Sequence, residues 1–327
     1  MTSPTGRIPG IEKPVSRLVL GSMIIHTDRL EESMRLLDDA FALGINTIDT
    51  AHIYGGGNSE RAIGQWLAAR GNREQVVIVS KGCHHNGDRK RVTPFDLRAD
   101  LHDSLARLKT TYVDAYLLHR DDPSQPVGPI VEAFNELRSQ GKLRAFGVSN
   151  WRHDRIQEAN DYAAARGLAG FTLSSPHYSL ADQVGDPWGA GCVALSGPRE
   201  TEAREWYQRT GMVVFPYSSM ARGFFSGRLK STDRNRFAET GVVDAACQRA
   251  YCFEVNFQRL ERVEQLAAEA GHTVPQIALA YVLCQPLNIH PLVGAANRGE
   301  IESCLSALEL NLTPETLAWL DLRRDSR

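Results

Sequence analysis

A (β/α)8 barrel is the fold class this sequence predicts. Three observations lead there: short β-rich runs alternate with helical patterns along the chain, the runs number eight, and polar residues stand at the C-terminal ends of several of them. A chain of 327 residues can bury a core of that size. The strands are predicted at 17–23, 46–51, 76–82, 114–120, 143–150, 171–175, 213–219 and 289–294. The helices between them are amphipathic: Met34, Leu37 and Phe41 recur at helical spacing, as do Leu97, Leu101, Leu105 and Leu108. Thr93 as N-cap, Pro94 in the first helical position and Asp96 in the first turn form a strong start signal. Two segments break the rhythm. Residues 179–197, after the sixth strand, are rich in Gly, Pro and Asp, and residues 221–250, after the seventh, show no sustained helical period. Both are predicted as long loops on the catalytic face of the barrel, where lids and pockets are built. With no linker-like run or longer repeat, residues 1–327 read as one domain.

Composition excludes several function classes. Hydrophobic residues make up 42% and charged residues 23%, an ordinary globular balance. Lys and Arg (37) nearly match Asp and Glu (39), so the basic excess that a nucleic-acid or anionic-membrane partner requires is missing. The opening MTSPTGRIPG lacks the apolar stretch of a signal peptide, and no apolar run approaches the roughly 20 residues of a membrane helix. The six cysteines are scattered without C-x-x-C or zinc-ligand spacing, which suits free thiols in the cytoplasm.

The chemistry gathers at three strand ends. Asp49 closes NTIDT with Tyr54 five residues on, Lys81 closes VVIVSK, and His119 closes DAYLLH. Singly, each is an ordinary turn or packing residue. Together, in a parallel barrel, they converge on one face. A tyrosine with a pKa near ~10 is a poor acid at neutral pH. A Lys ammonium beside it would draw that pKa down, an Asp would hold the Lys, and a His would donate to a carbonyl oxygen. A metal site at His84, His85 and His119 is the rival from another class. Adjacent histidines on an extended strand face opposite ways, so no metal is expected. The G-x-G-x-x-A match at 189–194 follows Asp186-Pro187-Trp188 where a dinucleotide fold needs a strand, and is a decoy.

The stretches FALGINTIDTAHIYGGGNSERAIG, VVIVSKG, DAYLLHR, GKLRAFGVSNW and PYSSMARGFFSGR, in this order, resemble the signature blocks of the aldo-keto reductase family, from about Leu18 to the end. The resemblance implies a barrel that binds NADPH, or less often NADH, without a Rossmann domain, and that interconverts a small-molecule carbonyl and an alcohol. Asp49, Tyr54, Lys81 and His119 fall on the family's catalytic tetrad, with Tyr54 as general acid in reduction and general base in oxidation. Ser149 and Asn150 match the pair that holds the nicotinamide carboxamide, Tyr217 matches the aromatic that stacks on the nicotinamide ring, and Ser218, Met220, Arg222 and Gly223 lie in the pyrophosphate segment. Ser175 stands where the family commonly has Gln. In the adenosine block VGAANRGEIESC, which opens near Gly294, Glu300 sits where the 2′-phosphate Arg is usual, with Cys304 in the Glu-Asn region and Asn297 and Arg298 close enough to substitute. On the family's habit, NADP(H) is expected over NAD(H). Some similar barrels act as cofactor-binding regulatory subunits, which is the alternative reading. For the pocket, Trp188, Trp151, Tyr178, His177, His52 and His26 offer aromatic and hydrogen-bonding groups of a kind that suits a sugar or keto-sugar at least as well as an apolar aldehyde.

Overall fold

A computed structural model describes residues 3–327. Its strands are β1 (Thr5–Ile8), β2 (Ile11–Ser16), β3 (Val19–Gly21), β4 (Thr47–Asp49), β5 (Val77–Gly82), β6 (Val113–Leu118), β7 (Leu143–Ser149), β8 (Leu173–Ser175), β9 (Val213–Val214) and β10 (Leu292–Val293). The helices are α1 (Leu30–Ala42), α2 (Asn58–Arg70), α3 (Pro94–Leu108), α4 (Val127–Ser139), α5 (His153–Ala165), α6 (Thr201–Thr210), α7 (Ala245–Tyr251), α8 (Glu254–Ala270), α9 (Val274–Leu283), α10 (Arg298–Ser306) and α11 (Pro314–Leu320). Eight parallel strands form one sheet in the order β10, β3, β4, β5, β6, β7, β8, β9. The ring closes beyond β9. Val214 N–H donates to the Asn288 carbonyl (2.8 Å), His290 N–H to the Val214 carbonyl (2.8 Å) and Leu292 N–H to the Pro216 carbonyl (2.9 Å). The predicted barrel is the observed one.

Strand alternation decides what fills the barrel. Val19, Val77, Val79, Ala115, Leu117, Ala145, Leu173, Val213 and Phe215 form one inner cluster, while the intervening residues of the strands pack outward against the helices. Burying each such Val or Leu side chain is worth about 1.5–3 kcal/mol. The same parity, continued one or two positions further, carries Asp49, Lys81, His119, Ser149, Ser175 and Tyr217 to the C-terminal mouth. Register sets them in steps: Asp49 pairs with Val79 and Lys81 with Leu117, so Lys81 and His119 each lie two residues beyond the preceding strand's polar residue, while Ser149 pairs with Ser175.

Two features differ from the sequence reading. The first residues build an antiparallel hairpin, β1–β2, turning at Gly10 (φ 89°). Its Ile8, Ile11 and Val15 join the inner cluster, so the hairpin plugs the end of the barrel opposite the site. The second predicted loop ends early, because α7 occupies 245–251 with Asp244 as its N-cap, accepting from Cys247 N–H at 2.8 Å. A seven-residue helix has too few turns to show a period in sequence.

One glycine is required by packing inside the ring. A Cβ on Gly147 would lie 1.9 Å from the Leu173 carbonyl oxygen, a backbone atom of the neighbouring strand that cannot step aside. Gly147→Ala is therefore expected to destabilise the protein by about 1–3 kcal/mol or more in denaturant unfolding. Gly87→Ala, where a Cβ meets nothing within 4 Å, is the control and should stay within ~0.5 kcal/mol of wild type. Equal midpoints for the two variants would contradict the interior geometry.

Candidate active site

Tyr54 reaches the site from a turn rather than a strand. Gly55, Gly56 and Gly57 follow it with φ of 56°, 62° and 88°, a left-handed run that side chains resist. A Cβ on Gly55 would strike the His26 ring and one on Gly57 the Arg107 guanidinium. Arg107 ties this turn down from α3, donating to the His52 carbonyl (2.8 Å) and pairing with the buried Glu60 of α2 (3.3 Å).

Lys81 is the centre of the site. Its ammonium donates to Asp49 Oδ2 (2.6 Å), the Thr50 carbonyl (3.0 Å) and the Tyr54 hydroxyl (3.2 Å), which uses all three of its protons. Both members of the Lys81–Asp49 pair are 2% exposed, so neither charge is shared with solvent. Burial would lower the Lys81 pKa, but Asp49 and Tyr54 outweigh it, and the ammonium is held above its usual range. Tyr54 departs from the sequence expectation. Burial pushes its phenol up more than Lys81 draws it down, and the net direction is upward. The tyrosine therefore holds its proton at neutral pH.

His119 stands edge-on to Tyr54, with ring centroids 5.7 Å apart. Burial, then Lys81, His84 and Arg120, drive its pKa well below the usual value. It is a neutral imidazole that can donate one hydrogen bond. His84 lies beyond it at 4.9 Å, its Nδ1 bonded to the His85 carbonyl (2.8 Å) and its Nε2 receiving the Arg120 Nε–H (3.4 Å). Both ring nitrogens thus face protein groups, and among the described residues no three His, Cys, Asp or Glu side chains are grouped to hold a metal.

Next to the tetrad lies a polar strip. Ser149 Oγ donates to the Ser175 carbonyl (2.7 Å), and Asn150, in left-handed backbone at φ 61°, donates to the His119 carbonyl and to Ser149 Oγ, both at 3.1 Å. Asn150 Oδ1 accepts from the Tyr217 hydroxyl (2.8 Å) and from Val193 N–H (3.2 Å). Ser175 Oγ is buried without a partner. An orphaned hydroxyl beside a half-buried tyrosine ring fits the edge and face of a nicotinamide amide, so these residues suit the cofactor that the motifs imply. Beyond them, Ser218, Ala221, Arg222 and Gly223 all have positive φ. For the three non-glycines this costs of order 1 kcal/mol each, and bends of this kind aim backbone amides at an anion. Met220 lies within the same turn, half-buried.

The side chains predicted for the cofactor's far end are arranged differently. Arg222 is engaged with Asp244 (2.8 Å) and lies 3.7 Å over the Trp188 ring. Asn297 caps α10, accepting from Glu300 N–H (3.1 Å), and Glu300 folds back onto Ala296 N–H (2.8 Å). Glu300 is thus part of a helix cap. Arg298 pairs with Asp39 (3.2 Å) and Glu302 (2.9 Å) on the exposed surface. Gly294 is open, with no atom within 4 Å of where a Cβ would stand, and Cys304 is buried in α10 against the core.

Several pocket candidates turn out to be packing. Trp151, Tyr178 and His177 are fully buried, Trp151 bonding the Arg120 carbonyl (3.1 Å). His52 faces Asp103 (3.2 Å), and His26 bonds the Met23 carbonyl (3.1 Å). His26 and His52 stay partly exposed, and Trp188 is exposed on the loop 179–197, whose returning limb lies parallel to His177 through His177 N–H to Val193 O and Leu195 N–H to His177 O, both 2.8 Å. Sequence reasoning missed Arg120, buried one residue after His119. Its signal was a charge at the end of an otherwise apolar strand.

A closed parallel barrel with a buried Asp–Lys pair, a tyrosine bonded to it and a neutral His at its mouth suits a barrel oxidoreductase. The sequence profile of the Aldo/keto reductase family matches residues 17–322, and this chain belongs to that family. It is 29% identical to the uncharacterized oxidoreductase YrpG of Bacillus subtilis, over 94% of this chain and 91% of that protein. It is 25% identical to the NADP(+) aryl-alcohol dehydrogenase of Phanerodontia chrysosporium, over 96% of this chain and 83% of that one. The structure of a glycerol dehydrogenase from Gluconobacter oxydans superposes with a TM-score of 0.77 at 25% identity, covering 98% of this chain and 95% of the other. The chain is an NAD(P)-dependent aldo-keto reductase, and no helix among the described residues is long and apolar enough to cross a membrane.

The electrostatics give a pH test. Because Lys81 lowers the Tyr54 pKa and burial raises it, Lys81→Met should leave the phenol protonated to still higher pH. In carbonyl reduction the variant should be slower, and the alkaline fall of kcat/KM should move upward. A fall that stays in place, or moves down, would show that the ammonium does not govern this proton.

Proposed function

We propose that this protein reduces the carbonyl of an aldehyde or ketone to the alcohol, or runs the reverse, with Tyr54 donating or receiving the proton at the oxygen. The observation that carries this reading is the Lys81–Tyr54 hydrogen bond (3.2 Å) inside a pair sealed by Asp49. Tyr54 presents a proton, its phenol pKa lying above the usual value, and Lys81 stabilises the phenolate left after transfer. His119, neutral, donates to the same oxygen and orients the carbonyl. Ser149, Asn150 and Ser175 hold the carboxamide and Tyr217 backs the ring of the nicotinamide, which supplies or accepts the hydride. The burial of Asp49 and Lys81 keeps their charges out of water, while the half-buried Tyr54 and His119 face the substrate. So complete a proton-transfer cluster supports turnover over a purely regulatory role.

For the substrate, relatives named for aryl alcohols and glycerol point to small alcohols and their carbonyls. The sugar-type reading loses most of its support, since Trp151, Tyr178 and His177 are core residues and His52 is bound to α3. With six free cysteines, the enzyme suits the reducing cytoplasm. NADP(H) remains the proposed cofactor. Arg298 sits at the first turn of α10, and its exposed ion pairs with Asp39 and Glu302 are of the weak surface kind that can exchange for a 2′-phosphate.

Tyr54→Phe keeps the ring and loses the proton. It should cut kcat at least about a hundredfold while NADPH fluorescence still reports binding. A variant retaining more than about a tenth of the wild-type rate contradicts the assignment. Arg298→Ala should raise KM for NADPH about tenfold and barely change KM for NADH. Equal changes for both, or a wild type faster with NADH, would overturn the choice of cofactor.

A further inference from the structure

Two arginines of the chain are buried, Arg259 and Arg120, and they are not treated alike. Arg259, 3% exposed, is paired with Asp321 at 3.1 Å. Arg120, 7% exposed, has no carboxylate within 4.0 Å among the described residues. Its contacts are long and go to neutral acceptors: His84 Nε2 (3.4 Å), Cys192 Sγ (3.3 Å) and the Trp188 carbonyl (3.3 Å). A guanidinium has five N–H donors, so two remain unspent. Burying a charge without a counterion is costly, and folded proteins pair such charges. The carboxylates next in sequence are already committed, Asp121 to Arg155 (2.9 Å) and Asp122 to Lys90 (3.1 Å). Asp186, on the covering loop, accepts only a distant Cys192 N–H (3.5 Å) through one oxygen.

The position of this charge is specific. Arg120 follows His119 directly, and its Nε–H meets the His84 ring that stands 4.9 Å from the His119 ring. Trp188 and Cys192 roof it from the loop 179–197. The guanidinium thus lies on the far side of the His84 ring from His119, beneath the loop 179–197. We propose that Arg120 is a specificity-determining residue that binds a carboxylate on the substrate, making this enzyme selective for oxo acids or the corresponding hydroxy acids. The proposal rests on the carbonyl-reduction reading and names its substrate class. A carboxylate would take the two unspent N–H donors and replace long neutral contacts with charge-assisted ones. One guanidinium matches a monoanion better than the dianion of a phosphate ester, which makes the carboxylate the occupant.

The test compares 3- and 4-carboxybenzaldehyde with their neutral carbamoyl counterparts, using the full-length enzyme and NADPH. Wild type should favour at least one acid over its amide by about tenfold or more in kcat/KM. Arg120→Met should bring that ratio close to one, mainly through KM for the acid, with amide turnover nearly kept. Arg120→Lys should retain part of the preference. Asp186→Asn, which removes the carboxylate that the covering loop carries next to Cys192, should keep or increase it. Equal wild-type rates, or a parallel loss of acid and amide turnover in Arg120→Met, would overturn the proposal and make Arg120 a support for the loop. A lost preference in Asp186→Asn would also overturn it. Turnover of neither pair would contradict carbonyl reduction itself. The anion site is then read separately, by thermal protection from benzoate, expected in wild type and absent in Arg120→Met; no protection in wild type overturns it too.

Discussion

The site depends on a buried ammonium. Lys81 enters the barrel as the inward-facing residue after Val77 and Val79, and nothing about β5 alone would tolerate a charge there. It is tolerated because Asp49, one strand over, supplies the counterion at 2.6 Å, and because the Thr50 carbonyl and Tyr54 hydroxyl take the remaining protons. Removing any acceptor leaves a buried charge short of a partner, which costs several kcal/mol. The pair therefore constrains its surroundings. The Gly55–Gly57 turn must bring Tyr54 back over the strand ends, and Arg107 and Glu60 must hold that turn in place.

The rest of the barrel serves to make that arrangement rigid. The hairpin seals one end with Ile8, Ile11 and Val15, and the inner cluster fills the middle, so the tetrad side chains gather at the other end. The proposed proton transfer and the proposed cofactor contacts share this rim. Asn150 joins them, bonding the His119 carbonyl on one side and Tyr217 on the other. It also accepts from Val193, so the long loop after β8 is coupled to the polar strip of Ser149, Asn150 and Tyr217. Trp188, stacked under Arg222, gives that loop a second anchor on the left-handed segment 218–223.

What the sequence made legible follows from interaction range. The tetrad was readable because strand parity and barrel closure bring strand ends together whatever lies between. The order of strands was readable from alternation. The hairpin was not, because RIPGIEKPVS carries two prolines and little alternation, and its role comes from plugging a barrel formed far along the chain. Arg298 and Glu300 were assigned by position in a motif, but their partners, Asp39 and the α10 cap, are set by surface geometry. Trp151 and Tyr178 look like pocket aromatics in sequence and are core in three dimensions. The net direction of the Tyr54 pKa was not legible for a related reason. Lys81 was visible in sequence, whereas the depth of burial that outweighs it was not.

The central claim is that burial holds the Tyr54 phenol protonated while Lys81, fixed by Asp49, limits how far its pKa rises. Ultraviolet difference titration of tyrosinate, wild type minus Tyr54→Phe, isolates this one phenol. The account predicts that it ionises above the ordinary tyrosine value near ~10. Ionisation below that value in the free protein would contradict it, and would mean that the ammonium dominates burial at the heart of the site.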